Sequence, residues 1–153
     1  MDITNLRVSL LQNHHAYLSK AISMDEVVRL IKHDKNVHGL TEEYHRLAHT
    51  VSPQVANKEI KEQKRPVFSV AALFDGAGKQ VTHITAITGL VFCDIDHVEH
   101  LEEAFQLCKA DPHTFLAYHT VGGGLRVICV FERADGVSHL NAIPYPAADR
   151  KVN

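Results

Sequence analysis

Gly89-Leu-Val-Phe-Cys-Asp-Ile-Asp96 is a run apolar enough to form a central strand, yet it ends in two carboxylates with one residue between them. Side chains alternate along a strand, so Asp94 and Asp96 are expected on one face, roughly 7 Å apart at their Cα atoms. Like charges that close repel, and something must neutralise or bind them.

Working outward from that strand, the preceding PVFSVAALFD and QVTHITAI alternate with the period of strands and are joined across GAGK, which predicts a hairpin from Pro66. After it, HVEHLEEAFQLCKAD repeats Val98, Leu101, Phe105 and Cys108 at three- and four-residue steps. That is one apolar helix stripe, stopped at Asp111-Pro112. FLAYHTV and LRVICVFE then read as a last pair of strands around Gly122-Gly123-Gly124.

The N-terminal third is helical in pattern. Ser23-Met-Asp-Glu26 is a capping box, in which the serine hydroxyl and the glutamate satisfy free amides at a helix start. The helix is expected to run to about Asp34 with Val27, Leu30 and Ile31 buried, to close over Asn36 to Gly39, and to be followed by a shorter one from Glu42 to His49. Ser52-Pro53 opens a third helix, expected to reach about Gln63. LRVSLLQ, beginning at Leu6, reads as a first strand.

Residues 133–153, with prolines and no period, read as an irregular tail. The order predicts an α+β fold, helices packed on a largely antiparallel sheet, in a single domain over residues 1–153.

Composition narrows the function. No stretch reaches the ~18 apolar residues of a membrane span, and the N-terminus lacks the basic head of a secretory signal, so no membrane partner and a cytoplasmic location are expected. Cys93, Cys108 and Cys129 are odd in number and widely spaced, which fits a reducing compartment and core packing, not a zinc site. His45 and His49 share a helix face, but Arg46 stands where a zinc protease motif carries its glutamate, which favours a solvated face.

With a net charge of −2, contact with a polyanion needs a local basic patch. Lys58, Lys61, Lys64 and Arg65 supply one along the third helix, either as a solvated face or as a surface that follows phosphates in nucleic acid.

Two features carry chemistry. Asp94 and Asp96, where a strand leaves the core, could hold a hard divalent cation, Mg²⁺ or Mn²⁺, together with substrate phosphates. Alternatively Asp94 faces solvent and Asp96 caps the next helix. Gly122, Gly123 and Gly124 exceed what one turn needs, and bare backbone amides beside Arg126 suit the phosphates of a nucleoside triphosphate.

GLVFCDID, the helix after it and HTVGGGLRVICVF at 119 to 131 together resemble the VirE N-terminal domain family, a branch of the archaeo-eukaryotic primase, or primase-polymerase, superfamily. The resemblance covers about residues 55 to 132. It implies an RRM-like core, with Asp94 and Asp96 as catalytic metal ligands and Gly122, Gly124 and Arg126 on the incoming nucleotide. Arg126 replaces the histidine common in the superfamily, and Val121 stands where the family usually has serine.

No third metal-binding acid is evident. Glu132 and Asp135 come soon after the loop, and Asp149 lies in the tail. Larger relatives continue into a P-loop helicase-like region, whose motif is not in this chain, so it reads as an isolated or truncated N-terminal domain.

The expected function is therefore a primase-polymerase-like domain, a nucleotidyltransferase if active. It would bind metal-nucleotide and DNA or RNA in replication or mobilisation of a mobile element, with a helicase-like domain or protein as partner. A non-catalytic nucleic-acid-binding module and a protein-interaction domain are the alternatives.

Overall fold

A computed structural model describes residues 6–130 and 143–144. Strand β1 (Arg7–Leu11) pairs antiparallel with β2 (Ser19–Ser23), and β1 pairs again with β3 (Val67–Ser69) on its other side. A second sheet joins β4 (Ala72–Phe74), β5 (Ile84–Ile87) and β9 (Ile143–Pro144). A third has the order β6 (Leu90–Ile95), β8 (Leu125–Val130), β7 (Thr114–His119). Every pairing is antiparallel, and with the helices this makes the α+β fold that the pattern predicts.

The capping box forms as expected. Glu26 N donates to Ser23 Oγ at 3.2 Å, and Ser23 N donates back to the Glu26 carboxylate at 3.0 Å. It opens α1 (Met24–His33), whose Val27 is buried and whose Leu30 and Ile31 pack on the core.

The next expectation is corrected. No break occurs over Asn36 to Gly39, and one helix, α2, runs Lys35–Thr50. Asp34 ends α1 and caps α2, accepting from Val37 N at 2.8 Å, so a single residue makes the corner. Gly39 sits inside α2 with nothing within 4 Å of where a Cβ would stand. Its weak helix propensity is overridden by the strong cap and by Leu40, Tyr44 and Leu47, which face a small second core.

Ser52 caps α3 (Pro53–Ala56) through Val55 N, and the helix widens into a π-helical segment, Asn57–Glu62. Arg65 N reaches back five residues to the Ile60 carbonyl at 3.0 Å. Such wide turns concentrate at functional sites because they re-aim the side chains around them.

The main core joins Leu6, Val8, Ile22, Met24, Val27, Val70, Leu90 and Ile128. A fully buried side chain such as Ile128 contributes about 1.5–3 kcal/mol.

GLVFCDID is a strand, but not a central one: among the described residues β6 lies at the edge of its sheet and β8 is the centre. Beyond Leu90 its side chains are exposed, including Val91, Phe92, Ile95 and the free Cys93, which was expected in the core. Ile143–Pro144 pairs with β5 where an irregular tail was expected, and the remainder of that tail lies outside the described residues.

Helix α4 (Leu101–Ala110) keeps Leu101, Phe105 and Cys108 half-buried, and it packs chiefly on β7, with Phe105 against His119. Its N-cap is His100, with no side-chain cap bond, so Asp96 does not cap it. Among the described residues no helix is long and apolar enough to cross a membrane.

Candidate functional site

In the third sheet, Arg126 of β8 stands directly opposite Asp94 of β6 on one side and Tyr118 of β7 on the other. The three side chains form a row across the strands. Arg126 Nε donates to Asp94 Oδ1 at 2.5 Å and Nη2 donates to Oδ2 at 2.7 Å, a fork that engages both carboxylate oxygens. Beneath it lies Phe92, two residues before Asp94 on the same face, with its ring centroid 5.0 Å from Arg126 Cζ.

The hydrogen bonds from Arg126 hold the Asp94 carboxyl below the usual carboxylate range, with help from the charge of Lys61. The same bonds raise Arg126 further, and burial raises the Tyr118 phenol.

This pairing answers the repulsion between the two aspartates. Asp94 is neutralised by a guanidinium, and a divalent cation there would have to sit against that guanidinium. Among the described residues no three His, Cys, Asp or Glu side chains converge as a metal set. A cation held by both aspartates would have to displace Arg126 from the Asp94 oxygens; Asp96, exposed like Asp94, makes no hydrogen bond to Arg126.

The glycine loop is also built differently from an open anion cradle. Gly123 N donates to Thr120 O at 3.1 Å, Gly124 N to Thr120 Oγ1 at 3.0 Å, and Thr120 N to Gly124 O at 2.8 Å. These bonds describe a three-residue hairpin turn that ends in a left-handed residue, Gly123, at φ +87. The amides of Gly123 and Gly124 are thus consumed by the turn itself. Val121 packs against Tyr44, Ala56 and Ile60, and His45 Nε2 donates to its carbonyl at 3.1 Å, so the tip is docked on α2. That contact also occupies the histidine of the HRLAH pair.

A cleft of about 460 Å³ opens over this row. It is lined by Asp94, Arg126 and Tyr118 from the sheet, by residues of α1 and α2, and by Lys61 and Arg65 from the π-helical segment and the turn after it. Asp96, Glu42, His38, His45 and His119 are also in its lining, with Thr41 and Thr120.

Of the basic run, Lys61 and Arg65 enter the cleft. Lys64 pairs with Glu43 at 3.2 Å, and Lys58 is exposed and lies off the cleft lining. Arg65 is half-buried, its Nη1 is shut off from solvent, and among the described residues no acceptor meets it. Burial lowers its pKa, yet a guanidinium keeps its charge in proteins.

The sequence marks Arg65 only as one of four basic residues, and no motif marks Tyr118, Glu42 or His119. The signal available for Tyr118 was strand register: FLAYH and LRVIC paired across the glycine turn place it beside Arg126.

The chain belongs to the BT4734-like, N-terminal domain family, whose model matches residues 59–151. This corrects the resemblance drawn from the D-x-D strand and glycine loop: the family is a different one from the VirE N-terminal domain family, and no link to the primase superfamily comes with it. The matched span carries Lys61, Arg65, Asp94, Tyr118 and Arg126, while α1 and α2, which also line the cleft, precede it. No curated protein and no solved structure matches the chain.

Proposed function

We propose that the cleft binds the phosphates of a nucleotide or of a nucleic-acid end, and that the domain is a binding module and not a catalyst of nucleotidyl transfer. The observation that carries this reading is the convergence of Lys61, Arg65 and Arg126 on one cleft, with Arg65 half-buried and its Nη1 meeting no acceptor among the described residues. A buried donor without an acceptor is costly, by about 1–3 kcal/mol, and a phosphate oxygen would remove that cost.

The roles divide by residue. Arg65 offers its planar fork, Lys61 a mobile point charge, and Tyr118 a hydroxyl beside Arg126. Arg126 is held in place by Asp94 and lines the cleft. Cation chemistry through Asp94 and Asp96 has no place in this reading, because the Asp94 oxygens already face Arg126.

Calorimetry with a nucleoside triphosphate, with and without Mg²⁺, tests it on the wild-type chain and on Arg65→Met, which keeps the apolar stem. Binding is expected without a metal requirement, weakened on the order of tenfold to hundredfold in the variant. Equal affinity in both proteins, or binding seen only with Mg²⁺, would sink the proposal.

A further inference from the structure

The loop between β1 and β2 carries two of the most exposed large apolar side chains among the described residues, Tyr17 at 68% and Leu18 at 71%. An aromatic ring left in water at a loop tip is ordinarily mobile, but this loop is tied down. Asn13 folds it on itself, accepting from His15 N at 3.0 Å through its side chain and from Ala16 N at 3.2 Å through its carbonyl.

Two more bonds fasten the loop to the end of the π-helical segment. His14 N donates to Glu62 O at 3.1 Å, and Asn13 Nδ2 donates to Gln63 O at 2.9 Å. From the other side, Lys79 Nζ donates to the His14 carbonyl and stands 5.8 Å from the centre of the Tyr17 ring.

The carbonyls that anchor the loop, of Glu62 and Gln63, lie between Lys61 and Lys64 in the sequence. Glu62, the acid at this point, lies 3.7 Å from His15.

We propose that Tyr17 is a stacking platform for a base of single-stranded nucleic acid, with Lys79 beside the ring taking a backbone phosphate. A pre-fixed ring loses little freedom when a base stacks on it, and stacking beside cations is the general means of binding single strands without reading sequence. Two adjacent apolar side chains are too small a patch for a stable protein interface, which needs on the order of 800 Å² per partner. The inference extends the reading of the cleft from a phosphate to a polymer, but it stands on a loop outside the cleft lining.

The test is fluorescence anisotropy of a labelled oligodeoxythymidylate of about 12 nucleotides, within the span such sites cover, on the full chain. Tyr17→Ala is expected to weaken binding about tenfold, while Tyr17→Phe keeps it, because the ring and not the hydroxyl carries stacking. The chain has no tryptophan, so Tyr17→Trp gives a single reporter whose emission should be quenched by the oligonucleotide.

Equal affinity of Tyr17→Ala and wild type overturns the inference. So does an unquenched tryptophan with binding intact, and so does binding to anionic lipid vesicles, lost in Tyr17→Ala, with none to the oligonucleotide. A wild-type chain that binds triphosphate but no oligonucleotide overturns this inference alone and leaves the cleft reading in place.

Discussion

Arg126 of β8 closes both Nε and Nη2 on the carboxylate of Asp94, its direct cross-strand partner on β6, at 2.5 and 2.7 Å. Both side chains keep about a third of their surface in solvent, 33% and 39%. Solvent screening therefore limits what the pair contributes, although the fork geometry is favourable.

A double-mutant cycle with Asp94→Asn and Arg126→Met should return a coupling of about 1 kcal/mol in chemical denaturation. The same Asp94→Asn variant separates two chemistries. Removing a negative charge from an anion site should tighten triphosphate binding by a few-fold, on the order of 0.5–1 kcal/mol in a screened site. If Asp94 were a cation ligand, the variant would lose binding instead.

Acid should act on this pair in a defined window. The Asp94 carboxyl is depressed when folded, chiefly by the Arg126 hydrogen bonds. A depressed carboxyl contributes stability that is present above its unfolded value, about 3.9, and lost as pH falls through its lower folded value. The stability gap between wild type and Asp94→Asn should therefore hold from neutral pH to about 5 and close below about 4. Asp75 and Glu26 are also depressed, by His83 and by the Ser23 amide, but they are present in both proteins and cancel in the comparison. A gap that persists undiminished at about pH 2.5 would show that Asp94 contributes through its shape and not its charge.

Much of the fold is legible along the chain, because local signals act locally. The Ser23 capping box, the Ser52-Pro53 start and the strands around the glycine loop form where the pattern places them, whereas the hairpin expected from Pro66 forms only between β4 and β5: Val67–Ser69 pairs with β1 in another sheet, and Val81–His83 is a 3₁₀ turn. Strand β2 escapes notice, since SKAIS has no apolar alternation and is held by pairing with β1. The Asp34 corner escapes because Asn36 and Gly39 carry the usual marks of a helix end, while the competing cap is one aspartate. The site is less legible than the fold for a stated reason. D-x-D and triple glycine look like two halves of a metal-nucleotide centre, and only strand register reveals that Asp94 faces Arg126, a partner 32 residues away.

The three glycines of the 120–124 turn should respond differently to alanine, and their order tests what the loop is for. At Gly124 an added Cβ would stand 2.6 Å from the Ile95 carbonyl oxygen and 2.9 Å from Asp96 Oδ1, so the β6–β8 contact must open. A loss of about 1–3 kcal/mol is expected. At Gly123 the space is free but φ is +87, which an L side chain resists by about 1–2 kcal/mol. At Gly122 nothing lies within 4 Å and φ is not in the left-handed region, so alanine should be neutral or stabilise by up to about 1 kcal/mol through the unfolded chain. Thermal denaturation of the three variants gives the order. Triphosphate binding by the stable Gly122→Ala chain then separates turn from cradle: unchanged affinity leaves the loop a turn that seats Val121 on α2, whereas abolished affinity in a fully folded protein would return the loop backbone to the ligand.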